Sequence, residues 1–212
     1  MKKLDTGGIG YLQPFEGTAR WYWGMDVTCG DLYEAEELYR LGRPFRQNRL
    51  LLVSYPEGRL EEPVKAAEGQ YFGRPAYYEG KIILLLADFR EGALRLLAFD
   101  CESGSVSPLA RIDLSEVKDC YNLLLHTAPL MLSRQGGEGS FQILWPEKAE
   151  FPIGPRETFD FREGDRLYFA RWYEDPDYRE EAVVRRFPDG EIVDSFPGCI
   201  QTMPAGERWH LS

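Results

Sequence analysis

Only two histidines, His126 and His210, stand among 212 residues, so acid–base chemistry by imidazole has few places to sit. The four cysteines, Cys29, Cys101, Cys120 and Cys199, are scattered, with no C-x-x-C and no histidine at ligand spacing. They read as reduced and mostly buried thiols, not as a metal site or a disulfide framework. Gly-x-Ser-x-Gly and Gly-x-Gly-x-x-Gly are missing, and GGIG at Gly7–Gly10 lacks the lysine of a P-loop. No apolar window approaches the ~18 residues of a membrane span. The opening MKKLDTGGIGYLQ carries no apolar run, so no signal peptide is read there, and a cytoplasmic protein is expected. Basic clusters are equally scarce: Arg185–Arg186, close to Glu180 and Glu181, is only a pair, and no run is longer. With a formal net charge of −10, a nucleic-acid partner is not expected, because phosphate neutralisation needs a basic face. Neither a membrane partner nor a cofactor or metal is expected.

What is abundant is aromatic residues and acidic-Gly steps. The 12 Tyr, 12 Phe and 5 Trp exclude disorder and favour a pleated surface. An acidic residue precedes Gly at Gly17, Gly58, Gly69, Gly80, Gly92, Gly139, Gly164 and Gly190, mostly between apolar runs. A type I turn closed by a G1 bulge needs φ > 0 at its end, which Gly supplies without a Cβ clash. Short strands between such turns predict a mainly β fold. Strands are predicted at Arg20–Asp26, Asn48–Tyr55, Lys81–Phe89, Ala93–Asp100, Val106–Leu114, Cys120–His126 and Leu130–Arg134. Ser140–Trp145, Asp165–Tyr173, Glu181–Phe187 and Glu191–Phe196 follow. The run IILLLA does not alternate, so both of its faces should be covered. One helix is predicted at Asp31–Leu41, with Asp31 as its cap, Glu34 completing a capping box, and Gly42 and Pro44 stopping it; a return strand is the alternative.

The pentapeptide DFREG occurs at Asp88–Gly92 and again at Asp160–Gly164. It reads as a hairpin turn used twice, with Arg and Glu in the turn and Phe on the strand shoulder. A longer echo joins Gly42–Gly58 to Gly73–Gly92: both begin Gly-Arg-Pro, enter an apolar strand and end in Glu-Gly. In this rhythm the chain resembles β-propeller repeat proteins, although the Trp-Asp and Gly-His signatures of WD40 repeats are absent. The resemblance implies a single domain of repeated antiparallel sheets in about five units of roughly 40 residues, and no activity. A β-sandwich or barrel is the alternative.

Trp172–Glu181 reads WYEDPDYREE and concentrates five carboxylates beside three aromatic rings. The EF-hand spacing is not met, and Asp-Pro-Asp is a natural turn, so this is an acidic hairpin loop. Such a loop could grip a sugar or a peptide through Trp172, Tyr173, Asp175, Asp177 and Tyr178. Trp21 and Trp23 flank Tyr22, and consecutive rings in a strand cannot all face one side. His126 ends an apolar run and reads as a hydrogen-bonded histidine, with a general base as the alternative. These eight residues are the candidate ligand-binding set. The expected function is a non-catalytic binding or interaction module for a protein, peptide or carbohydrate. The alternative is a carboxylate-dependent enzyme acting on a carbohydrate or small polar substrate.

Overall fold

A computed structural model, which describes residues 1–203 and 206–212, is mainly β, with one α-helix and small sheets of sequential strands. The chain divides into two compact units, Met1–Thr127 and Ala128–Ser212. Among the described residues no helix is long and apolar enough to cross a membrane.

In the first unit, β1 (Gln13–Pro14), β2 (Trp21–Met25), β3 (Leu50–Ser54) and β4 (Leu60–Glu61) form a four-stranded meander. A second sheet contains β5 (Gln70–Phe72), β6 (Ala76–Tyr78), β7 (Lys81–Asp88), β8 (Ala93–Asp100) and β9 (Val106–Asp113). β5 and β6 pair with opposite ends of β7, through Leu86–Asp88 and Lys81–Ile83, so they are one strand interrupted at Gly73–Pro75. Pro75 has no N–H to give to the ladder. A Cβ on Gly73 would come within 2.7 Å of Leu85. β10 (Leu123–Thr127) ends the unit. The helix α1 (Leu32–Arg40) branches off between β2 and β3. Asp31 caps it, accepting from the backbone N–H groups of Tyr33 at 3.0 Å and Glu34 at 3.2 Å, as its sequence predicts. The N–H of Asp31 itself goes to the Thr28 carbonyl, so the reciprocal half of a capping box is not what closes the turn.

The two sheets of this unit share one core. Trp21, Trp23 and Met25 alternate onto the inner face of β2 and pack with Leu50, Leu52, Phe72, Ile82, Leu84, Leu86 and Phe99. Trp21 and Phe99 meet edge to face, their centroids 5.8 Å apart. Tyr22 points the other way, beside a smaller cluster of Ile9, Leu51 and Val53. All residues of β7 after Lys81 are buried, as the unbroken apolar run predicts. Asn48 ties the sheets together. It is 1 % exposed, donates to Asp26 Oδ1 at 3.1 Å and accepts from the Phe72 N–H at 2.6 Å.

In the second unit, β11 (Leu130–Gly136), β12 (Ser140–Trp145) and β13 (Ala149–Pro152) pair in order. β14 (Glu157–Glu163), β15 (Arg166–Tyr173), β16 (Arg179–Arg186) and β17 (Ile192–Pro197) form a second meander. β18 (Cys199–Thr202) and β19 (Arg208–Leu211) make a hairpin. A core of Met131, Phe141, Ile143, Phe151, Phe159, Leu167, Phe169 and Val183 joins the first two of these sheets.

All eight glycines of the acidic-Gly steps have positive φ, from +60° to +81°. The expected G1 bulge is not the usual closure. After Ser54 and Arg186 the hairpins are four-residue loops, in which the glycine N–H returns to the carbonyl four residues back at 2.7–2.8 Å. Glycine is still required, because the last loop residue is left-handed. The two DFREG copies differ. In the first, Asp88 and Ala93 close the loop, so Phe89–Gly92 is the turn. In the second, Asp160 lies at a register shift, while Phe161, Arg162 and Glu163 are strand residues paired with Tyr168, Leu167 and Arg166. Arg162 and Glu163 therefore lie outside the turn that their sequence suggests. The Gly-Arg-Pro echo is likewise out of step with the sheets, since it leads into the third strand of one and the central strand of the other.

Candidate functional site

The eight residues singled out by sequence divide between the units. Trp21 and Trp23 are each 6 % exposed and belong to the core of the first unit. Their alternation on β2 sends both rings inward, so neither offers an open ring face for stacking. His126 is half-buried on β10. Burial pushes its pKa down to about 4, so at pH 7 the ring is neutral and not the imidazolium that a general acid needs. A lowered histidine pKa means that the unfolded chain binds the proton more readily. The stabilising difference is fully present above about pH 6.5 and is lost as pH falls toward 4, at most about 3 kcal/mol. His126→Gln is expected to flatten that part of a pH–stability curve measured by thermal melting. An unchanged slope in the variant would remove His126 as its source.

The other five residues gather on the β15–β16 hairpin. Trp172 is 38 % exposed and Tyr178 67 %, with Asp175 and Asp177 exposed between them. Arginines occupy the rings and the acids alike. Arg179 lies 4.2 Å from the Tyr173 centroid and Arg156 5.4 Å from that of Trp172. The Tyr173 hydroxyl donates to Glu181 at 3.1 Å, and Arg171 reaches the same carboxylate at 3.3 Å. Among the described residues, no group of three or more His, Cys, Asp or Glu side chains could hold a metal ion.

The arrangement best suited to a ligand lies in the first unit and, apart from Trp21, uses residues that the sequence did not single out. Four hairpin tips open onto one cleft of about 500 Å³. From β1–β2 come Thr18 and Arg20, and from β3–β4 come Ser54, Glu57 and Arg59. From β6–β7 come Tyr77 and Gly80, and from β8–β9 come Cys101 and Glu102. The volume lies within the ~300–1,000 Å³ of small-molecule sites. Trp21, 6 % exposed, also lines the cleft.

Both of its arginines are paired at the surface. Arg20 pairs with Glu57 at 3.1 Å, and Arg59 pairs with Glu61 at 2.9 Å. Each guanidinium has five N–H donors, so one such pair leaves several directed at solvent. The Glu57 carboxyl is held below its ordinary range by its own backbone N–H and then by Arg20. Burial pushes the Cys101 thiol up to about 11, so it stays protonated at neutral pH and is a poor nucleophile. The signal for this cleft was present in the sequence as the turns at Glu57-Gly58 and Glu79-Gly80. What was hidden is that alternate turns of two facing meanders emerge at one end.

The chain matches no protein-family model and no curated protein.

Proposed function

We propose that this protein is a non-catalytic binding module that holds a small, hydroxyl-rich polar ligand, of the carbohydrate class, in the cleft between the hairpin tips of its first unit. One observation carries the reading: two arginines, each paired with a carboxylate, line the same cleft of about 500 Å³ as the hydroxyl side chains Thr18 and Ser54 and the half-buried ring of Tyr77. Such donors and acceptors match vicinal hydroxyls, and a tyrosine ring can take the apolar face of a sugar. Saturation-transfer NMR against neutral mono- and disaccharides tests it. Arg59→Ala is expected to weaken binding by about ten-fold or more, and Tyr77→Ala by a similar factor. No transfer to the unaltered protein, or equal transfer to both variants, would sink the proposal. Glu57 and Glu102 also supply two carboxylates to the cleft, which supports the enzymatic alternative. Release of a new reducing end during the same incubation would favour that alternative.

For the architecture we favour a propeller-like repeat. It is supported by sheets built as meanders of consecutive antiparallel strands joined by four-residue turns.

A further inference from the structure

The first unit has a second cleft, of about 400 Å³, where the chain enters β3 and leaves β4. Turns alternate along a meander, so this is the other end of the sheet from the cleft described above. Arg46, Arg49 and Lys65 all line it, in a chain whose net charge is −10. Arg49 is committed: it bonds Glu62 and gives a second N–H to the Gly7 carbonyl at 2.9 Å. Arg46 and Lys65 are both exposed and have no ion-pair partner among the described residues. Two uncommitted cations thus share one concave surface in a chain where carboxylates outnumber cations 35 to 25. Val64 and Ala66 line the same cleft and pack against the core, so it has an apolar wall beside its cationic one.

We propose that this cleft is a site for a small organic phosphate. The phosphate group would lie between Arg46 and Lys65, and the organic body against Val64 and Ala66. A dianion answers two free cations, whereas a single carboxylate would leave one unanswered. The planar fork of Arg46 suits two phosphate oxygens at once, and the Lys65 ammonium serves as a point charge. Glu68 lines the cleft too, and its charge works against the anion.

The site is independent of the carbohydrate reading, and its test uses different probes. Inorganic phosphate and phenyl phosphate are titrated into ¹⁵N-labelled full-length protein. Both are expected to shift the backbone amides of residues 46–49 and 64–67, with phenyl phosphate saturating at the lower concentration. Arg46→Gln combined with Lys65→Gln is expected to weaken both by roughly ten-fold or more, as loss of charge-assisted bonds implies. Glu68→Gln is expected to tighten them. All three side chains are exposed, so the fold should survive, and an unchanged melting temperature checks this. Absence of shifts at millimolar phosphate overturns the proposal, as do shifts that persist in the double variant. Equal saturation by both probes refutes the part assigned to the apolar wall.

Discussion

Replacing Glu157 by Gln is expected to destabilise the second unit by about 3–5 kcal/mol, because it strips the buried Arg185 of its counter-charge and leaves Arg171 with Glu181 alone. Glu157 opens β14 and its side chain is fully buried. Arg185 reaches it with two nitrogens, Nε at 2.9 Å and Nη2 at 2.8 Å, and Arg171 pairs with it from the neighbouring strand. Arg185 also donates to the Gly190 carbonyl at 2.7 Å, which anchors the β16–β17 turn. On the other side, Gln135 of β11 donates to the Glu157 carbonyl at 2.6 Å and accepts from the Phe159 N–H at 3.0 Å. The carboxylate thus holds β14, β15 and β16 in register, while its backbone ties them to β11. The chain has two compact units, so a single unfolding curve could mix their transitions. Hydrogen exchange of β15 and β16 amides is the better readout. Protection that falls by less than ten-fold in Glu157→Gln would show that the arginines find other partners. Replacing Glu157, Arg171 and Arg185 together by apolar residues of similar size should recover much of the loss, since the burden lies in the unpaired charges.

Phe141→Ala should be comparably severe, about 3–5 kcal/mol, for a different reason. The ring is wholly buried on β12 and touches three others. Its centroid lies 4.9 Å from Phe159, 5.2 Å from Phe169 and 5.5 Å from Phe151. These rings come from four strands, so truncation opens a cavity that no single side chain can collapse to fill. Phe141→Leu keeps most of the volume and should cost clearly less. Urea unfolding followed by the same amides distinguishes the two variants. A change in midpoint at constant slope is the expected signature of lost packing. Equal midpoints for Ala and Leu would mean that the aromatic cluster relaxes around the gap.

The contrast between these residues explains how far the sequence could be read. Strands such as Lys81–Asp88 and Ala93–Asp100 were legible because the apolar run and the turn lie side by side in the chain. Helix α1 was legible through Asp31 for the same reason. β14 was not: Phe159 and Phe161 alternate inward, but the prolines before them, Pro152 and Pro155, suggested a connection instead. Arg185 and Arg186 stood out in the sequence only as a basic pair close to Glu180 and Glu181. One is buried against Glu157 and the other pairs with Asp189 and Glu191 on the surface. Nothing local marks Glu157 as the partner of Arg185, 28 residues away. The burial of two aromatic candidates was hidden in a similar way. Trp21 and Trp23 are large and noticeable, but period-2 geometry places both on whichever face Met25 takes, and that face is the core. The cleft escaped notice because its residues are ordinary turn residues, and only the facing of two sheets brings them together.

The break that divides β5 from β6 has a bearing on association between copies of this chain. The sheet that holds IILLLA is the most apolar stretch of the molecule, and a long bare edge there would invite another chain to extend it. Gly73–Pro75 leaves two segments of three residues each on one side. On the other side β9 carries Pro108, which has no N–H to offer, next to a register shift opposite Leu96 and Leu97. Neither flank presents an unbroken row of donors and acceptors along its full length, so the sheet stays finite although its interior composition favours growth.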